Sequence, residues 1–495
     1  MKTSRHPAGR GTGITRRNLI GTVAAIGAAT AFVPRATMAA LPGRGEFVVR
    51  NAHVLTMDPS LGDFDRGDVH VRNGEIIAVG RDVMASDAEV IDGRSMIALP
   101  GLIDTHNHIW NSTCRNLVME GPERGYFRTV RALGEQYTPE DTYRGVRLGC
   151  AEMIYSGVTA VHSWSHNIRS PDHARADIRA LIDVGIRGRF SYGTYQGGPP
   201  QNVTMDIVDL ERLHDEWHKH ANEGLLTLGM ASRGVNPSGI AANHPVLLEV
   251  AHKDWAAARR LKIPITVHTG GRGNIELLER EGMLGPDLQL INTSSWDSAD
   301  ITRIAKSGAH VSITPASEMR YSYALPQFLE LLKLNMKVSL AMDTPSGVAG
   351  NSDMFMAMRQ MMDTQFVRSK DPMSVSARQV LEMATINGAW DLGFADRVGS
   401  LTPGKRADLI LVRTTDLNMA PLGDPVTAIV RSAQPYNVDT VVIDGPWGAW
   451  TAVQVGETHP RAPLSHGGRV GDLGPSYFAL PAPAFGQPAM QALTA

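Results

Sequence analysis

Apolar and polar positions along the chain fall into three successive regimes. From Gly45 to about Leu99, short apolar runs alternate with tight turn signals. Phe47–Met57, Gly67–Gly74 and Glu75–Gly80 predict strands, and Asn73-Gly74 predicts a hairpin turn. From Ala98 onwards the rhythm changes to strand-like runs alternating with helical stretches, the pattern of a parallel α/β sheet or barrel. The candidate strands are Ala98–His108, Val158–His162, Gly188–Tyr192, Leu225–Met230, Ile263–His268, Leu288–Asn292, His310–Thr314 and Val338–Met342. Eight such units over roughly 300 residues fit a (β/α)8 TIM-like barrel, whose chemistry sits at the C-terminal ends of its strands. After about Arg397 the strand-and-turn pattern returns, with Val398–Val412 and Val438–Gly445. The expected α/β architecture is therefore a barrel over residues 99–396, flanked by a small β-sandwich built from residues 40–98 and 397–460. Residues 461–495, rich in Gly and Pro, predict an extended tail.

The first 39 residues carry a different signal. Thr15-Arg16-Arg17-Asn18-Leu19-Ile20 leads into an Ala-rich apolar run from Leu19 to Val33, followed by Ala36-Thr-Met-Ala39. A charged start, an apolar centre and small residues near a cut form a signal peptide, and the paired arginines resemble a twin-arginine (Tat) signal. The apolar run falls short of the about 20 residues that span a membrane. The expectation is export through the Tat machinery to the periplasm or the medium, with no stable membrane insertion once the signal is removed. Composition narrows the rest. Lys plus Arg (48) nearly balance Asp plus Glu (50), which gives no basic surplus for nucleic acid. Two cysteines, Cys114 and Cys150, exclude a disulfide scaffold and a cysteine-only metal cluster. Whether they pair is open at this stage.

The first barrel strand holds the candidate chemistry. In Ala98-Leu-Pro-Gly-Leu-Ile-Asp-Thr-His-Asn-His108 an apolar run ends in two histidines one residue apart. A strand alternates its side chains, so His106 and His108 project to the same side and can grip one divalent ion.

Further motifs follow in order: Ser156-Gly-Val-Thr159, Ile263-Pro-Ile-Thr-Val-His268, Ser339-Leu-Ala-Met-Asp343, Ala384-Thr-Ile-Asn-Gly-Ala-Trp-Asp-Leu-Gly393 and Gly399-Ser-Leu-Thr-Pro-Gly-Lys-Arg-Ala-Asp-Leu409. Together they resemble the amidohydrolase superfamily, in its cytosine-deaminase-like and chlorohydrolase-like branch, over roughly residues 45–450. The resemblance implies that His106 and His108 close strand 1, His268 closes strand 5 and Asp343 closes strand 8. It further implies one divalent metal ion, with zinc the first choice and iron, cobalt or manganese compatible. Such an ion lowers the pKa of water towards about 7, and Asp343 would take the water's proton and pass it to the leaving group.

Two positions depart from the branch. The deaminases carry His-x-x-Glu after strand 5, where this chain has His268-Thr-Gly-Gly271, and a histidine after strand 6, where it has Asn292. Asparagine can donate a hydrogen bond to a carbonyl but cannot shuttle a proton. The strand 4 end, Leu228–Gly234, lacks the lysine that bridges paired metals in related enzymes, which favours a single ion. Three groups at the barrel mouth are candidates to fill the gap: His166 or Glu318 as acid or substrate anchor, and Trp164 and Trp296 as apolar walls. The expected activity is hydrolysis of a C–N bond in a small non-peptide amide, carbamate or urea. The alternatives are deamination, dehalogenation or dealkylamination at a heterocycle carbon, and a degenerate barrel that only binds. Two other clusters are read as structural: His214 and His218 as a solvated helix face, and the methionines of Met354–Met362 as core packing.

Overall fold

The structure is a computed structural model that describes residues 45–117, 125–195, 198–235, 246–321, 324–344, 350–443 and 453–454. The expected signal peptide (residues 1–39) and tail (461–495) lie outside the described residues. Five strands come first: β1 (Glu46–Val54), β2 (Phe64–Arg72), β3 (Glu75–Gly80), β4 (Glu89–Asp92) and β5 (Met96–Pro100). The barrel strands follow as β6 (Leu102–Asn107), β7 (Val158–Ser165), β8 (Arg187–Tyr192), β9 (Leu226–Ser232), β10 (Ile265–His268), β11 (Leu288–Ile291), β12 (His310–Ile313) and β13 (Ser339–Leu340). The chain ends its regular structure with β14 (Leu409–Arg413), β15 (Val438–Val442) and β16 (Val453–Gln454).

β6 to β13 form one eight-stranded parallel sheet in strict sequence order. It closes where β13 runs out: Asp343 N–H donates to His106 O at 2.9 Å, and His108 N–H donates to Asp343 O at 2.7 Å. Closure and ligand placement are thus one event. The second sheet has eight strands in the order β16-β15-β14-β5-β1-β2-β3, with β4 paired to β1. Its core includes Phe47, Val49, Val69, Ile76, Leu409, Leu411 and Val442. N- and C-terminal segments meet through β5, which pairs β14 antiparallel and β1 parallel.

The apolar run read as one strand from Ala98 to His108 is two. Ala98, Leu99 and Pro100 belong to β5 in the outer sheet, and Leu102 starts the barrel. Gly101 makes the crossing and is pinned there, its N–H donating to Asp408 O at 3.0 Å. Asp408 in turn receives Arg187 through two bonds of 2.7 and 3.0 Å, with both side chains almost wholly buried. That fork ties the foot of β8 to the start of β14.

Below the mouth the barrel interior is polar. Thr105 Oγ1 lies 2.7 Å from Ser312 Oγ and 2.9 Å from Ser339 Oγ, contacts that only an inward-facing layer can make across these strands. Gln289 donates to Thr105 O and to Asp391, whose carboxylate enters from the helix Ile386–Asp391. The methionine-rich helix Met354–Ser369 buries Met354, Met358, Met361 and Met362, as core packing requires. Cys114 and Cys150 are buried free thiols. The His214 helix stops at Asp215, and His218 lies in a separate turn, Trp217–Lys219, so the two histidines share no helical face. Among the described residues no helix is long and apolar enough to cross a membrane.

Candidate metal centre

His106, His108, His268 and Asp343 meet at the C-terminal mouth of the barrel. One donor atom from each lies within 4.8 Å of all the others. Asp343 Oδ1 is 3.2 Å from His106 Nε2 and 3.0 Å from His108 Nε2, and His268 Nε2 is 3.2 Å from His106 Nε2. Two imidazole nitrogens turned edge to edge inside a buried pocket repel unless a proton or a cation lies between them. Burial pushes His106 down to about 4 and His268 well below the ordinary histidine range, which disfavours the proton. Burial works to raise Asp343, but hydrogen bonds and charge from His106 and His108 hold it well below the usual carboxylate range. Neutral imidazoles converging on an ionised carboxylate are the donor set of a Zn²⁺-type site, so these residues fit the ion that the sequence implies. All four are present and converge, which argues against the binding-only alternative.

Asp343 sits at φ +67°, a left-handed conformation uncommon outside glycine and asparagine. The ladder bonds to His106 and His108 on either side hold it there, and the conformation aims the carboxylate between the two histidines. Behind His106 lies Asp104, fully buried and bonded by Asn107 Nδ2 (2.7 Å) and Met342 N (3.1 Å). Burial pushes its carboxyl up to about 7. His162 faces the same interior, but Thr105 O and Ser191 Oγ occupy its two nitrogens, so it is a satisfied core histidine.

Trp164 takes the wall position expected of it. Its ring lies 4.6 Å from the His106 ring and 4.2 Å from the His268 ring. His166 packs edge-on against His108 at 4.2 Å. The other candidates form a bracket at the ends of strands 6 and 7. Asn292 Nδ2 donates to Thr314 Oγ1 at 2.9 Å, which leaves its second amide hydrogen for a ligand. Glu318 is fully buried and pushed up to about 7 by that burial; Oε2 accepts from Thr293 N and Thr293 Oγ1, both at 2.9 Å, and Oε1 from Thr314 N at 3.3 Å. Both oxygens therefore hold the strand 6 loop against strand 7. Trp296 is buried and its backbone carbonyl receives Gln327, with its indole N–H lacking a protein partner. The ring contacts of the ligand histidines among the described residues are with one another, His162, Trp164 and His166, and do not include Trp296.

The two departures from the deaminase pattern have a shared backbone basis. Gly271 adopts φ +116°, a conformation essentially confined to glycine, and its N–H donates to Ser295 Oγ at 2.8 Å. Asn292 adopts φ +71°, where asparagine is tolerated far better than most residues. An acid at 271 would require a different turn, so the change reaches beyond one side chain.

Sequence reasoning missed three aromatic groups. Trp110 donates its indole N–H to His166 Nδ1 at 3.1 Å. Tyr126, buried at the start of the helix Tyr126–Gly134, receives Asn111 Nδ2 at 3.2 Å and is bonded by the Thr344 side chain, beside Asp343. Tyr321 packs on Tyr126 at 5.6 Å and also feels the Asp343 charge. Trp110 follows His108 by two residues and was findable by position; nothing local marks the two tyrosines.

Known proteins agree with this geometry. The profile of the amidohydrolase family matches residues 97–448, more than half of the chain. A 5'-deoxyadenosine deaminase of Methanosarcina barkeri is 29% identical over 420 residues, spanning 81% of this chain and 92% of the relative. A 5-methylthioadenosine/S-adenosylhomocysteine deaminase of Syntrophobacter fumaroxidans is 29% identical over 425 residues, with the same coverage of 81% and 92%. Among solved structures, a zinc-bound adenosine deaminase of Xanthomonas campestris superposes with a TM-score of 0.70 at 21% identity, covering 85% of this chain and 96% of that one. A zinc-complexed atrazine chlorohydrolase of Arthrobacter aurescens gives 0.70 at 20% identity, covering 84% and 97%. The barrel, its four convergent ligands and the matched profile lead to one conclusion: this chain belongs to the amidohydrolase family, as a metal-dependent hydrolase of non-peptide C–N bonds.

Proposed function

We propose that the substrate is a small amide, carbamate or urea, cleaved at its carbonyl carbon in a site holding a single zinc ion. The observation that carries this reading is the mouth itself: a complete ligand set beside Gly271 and Asn292, with both Glu318 oxygens engaged by the protein. Ring-carbon displacement needs a proton delivered to the ring, whereas carbonyl hydrolysis needs a hydrogen-bond donor for the oxygen and a carrier for one proton. When bound, the ion supplies a nucleophilic water at neutral pH and electrostatic stabilisation of the developing oxyanion. Asp343, ionised and beside the ligand histidines, accepts a proton from the attacking water. As the C–N bond breaks, it returns that proton to the leaving nitrogen. Asn292 offers its second amide hydrogen to the carbonyl oxygen, and Trp164 forms an apolar wall next to the ligands. The twin-arginine segment supports export of the protein to the periplasm or medium.

The names of the relatives favour a second reading, deamination at a heterocycle carbon. In that case Glu318, whose carboxyl burial pushes up to about 7, is the available proton source. A hydrolysis screen of amides, carbamates, ureas and aminated heterocycles, following amine or ammonia release, separates the two. Metal-dependent cleavage of the carbonyl compounds, lost in Asp343→Ala, supports the first reading. Turnover confined to aminated rings and abolished by Glu318→Gln with metal retained supports the second. Full activity of Asp343→Ala on any of these compounds would contradict both.

A further inference from the structure

His166 can serve as acid, base or hydrogen-bond donor, and its neighbours decide which. Trp110 Nε1 lies 3.1 Å from His166 Nδ1. An indole N–H can only donate, so Nδ1 must accept, and the ring proton of a neutral imidazole resides on Nε2. One competing contact exists: the Trp164 carbonyl is 3.5 Å from the same Nδ1. That separation is at the outer limit of a hydrogen bond, and the carbonyl already receives His166 N–H at 3.1 Å. A proton on Nδ1 would exchange a good bond for a marginal one and set two N–H groups against each other.

Trp110 is held tightly enough to impose this choice. It is fully buried in the turn Ile109–Cys114, directly after His108, and its ring meets Tyr137 edge-on at 5.4 Å. The helix Pro139–Tyr155 presents Gly145 and Gly149 beneath that turn. A Cβ on Gly145 would lie 2.3 Å from Trp110 O, and one on Gly149 would lie 2.4 Å from Ser112 Oγ. At the far edge of the indole, a Cβ on Gly134 would lie 3.1 Å from Trp110 Cη2. Backbone packs on backbone on one side and the ring is enclosed on the other, so the indole cannot turn its N–H away without moving the helix.

We propose that Trp110 is a positioning residue that fixes His166 as the Nε2–H tautomer, so that His166 serves the reaction as a hydrogen-bond donor to a substrate oxygen and not as a proton acceptor. The tautomer stands on the contacts above; only the identity of the substrate atom rests on the carbonyl-hydrolysis reading. The consequence is a division of labour at the mouth. Proton transfer falls to Asp343, and His166 joins Asn292 in orienting the scissile group.

The test uses the full zinc-loaded protein labelled with ¹⁵N at histidine and tryptophan. His166 is assigned by loss of its signals in His166→Gln. The expected result is an unprotonated Nδ1, a protonated Nε2, and a scalar coupling across the bond from Trp110 Nε1 to His166 Nδ1. A protonated Nδ1 in the parent protein overturns the proposal, whether or not a substrate has been found. Trp110→Phe keeps the ring and removes the donor, and it should populate both tautomers; an unchanged tautomer in the folded variant also overturns it. Kinetics supply the independent arm. Glutamine retains a donor, so His166→Gln should keep kcat/KM within about ten-fold of the parent, with His166→Leu lower by about a further ten-fold. Losses of about a hundred-fold or more that are equal in the two variants would show proton transfer by His166 and contradict the donor role.

Discussion

The crossing at Gly101 invites the sharpest perturbation, because it joins the outer sheet to the strand that carries two metal ligands. A Cβ added there would lie 2.1 Å from Thr159 Cγ2, 2.1 Å from Thr159 Oγ1 and 2.6 Å from Thr159 Cβ. Ordinary carbon contacts lie at about 3.5–4.0 Å, so the overlap exceeds 1 Å for both branches of the threonine at once. No χ1 rotation clears it, since rotating one branch away brings the other in, and Cβ itself collides. The backbone cannot slide aside freely either, being held by Gly101 N–H to Asp408 O and by Leu102 N–H to Gly157 O, both at 3.0 Å. Overpacking costs about 1–3 kcal/mol, and with both routes of relief closed Gly101→Ala should fall at the upper end, about 3 kcal/mol. Urea unfolding of Gly101→Ala, Thr159→Gly and the double variant gives the coupling. Thr159→Gly removes all three clashing atoms, so the double variant should recover about 2 kcal/mol relative to additivity, with metal content restored alongside. Thr159→Ala leaves the Cβ overlap and should recover less. A Gly101→Ala protein within about 0.5 kcal/mol of the parent, or strict additivity in the cycle, would refute the reasoning.

Other consequences follow from buried charge. Asp177 is fully buried, bonded to the Ser163 and Ser165 hydroxyls, and burial pushes its carboxyl up to about 7. Its folded pKa exceeds the unfolded value, so its contribution to stability is complete below about pH 4 and is lost as pH rises through about 7, a change of up to about 4 kcal/mol. Asp177→Asn should raise the urea midpoint at pH 8 and narrow the difference between pH 5 and pH 8; an unchanged pH dependence would show that Asp177 is ionised in the folded protein. For the Arg187–Asp408 fork, Asp408→Ala should cost about 3–5 kcal/mol by stranding a buried guanidinium, while an Arg187→Met, Asp408→Leu pair should recover most of it. Equal losses in the single and double variants would contradict that account.

Much of the site was legible because metal ligation leaves periodic traces. A strand's two-residue alternation puts His106 and His108 together, and strand-end motifs place His268 and Asp343. Elsewhere the sequence pattern ran out for identifiable reasons. Ala98–His108 reads as one apolar strand because strands in two different sheets can share a single run when a glycine permits the crossing. Glu318 reads as a free acid at the mouth because its sequence position says nothing of Thr293 and Thr314, which engage it from two other loops. Trp110 is silent in sequence because its role depends on a hydrogen bond to a residue on another strand. The departures at Gly271 and Asn292 were visible as letters, but their cause is the positive φ at both positions, which only the fold shows.

Metal content tests the central claim most directly. Elemental analysis of the purified full-length protein should give about one divalent ion per chain, removed by chelation, restored by Zn²⁺, and accompanied by loss and return of C–N bond hydrolysis. In the double variant His108→Ala, His268→Ala the stoichiometry should fall well below one, with folding confirmed by circular dichroism. A parent protein that carries no ion and still hydrolyses its substrate, or a double variant that holds metal as tightly as the parent, would contradict the account.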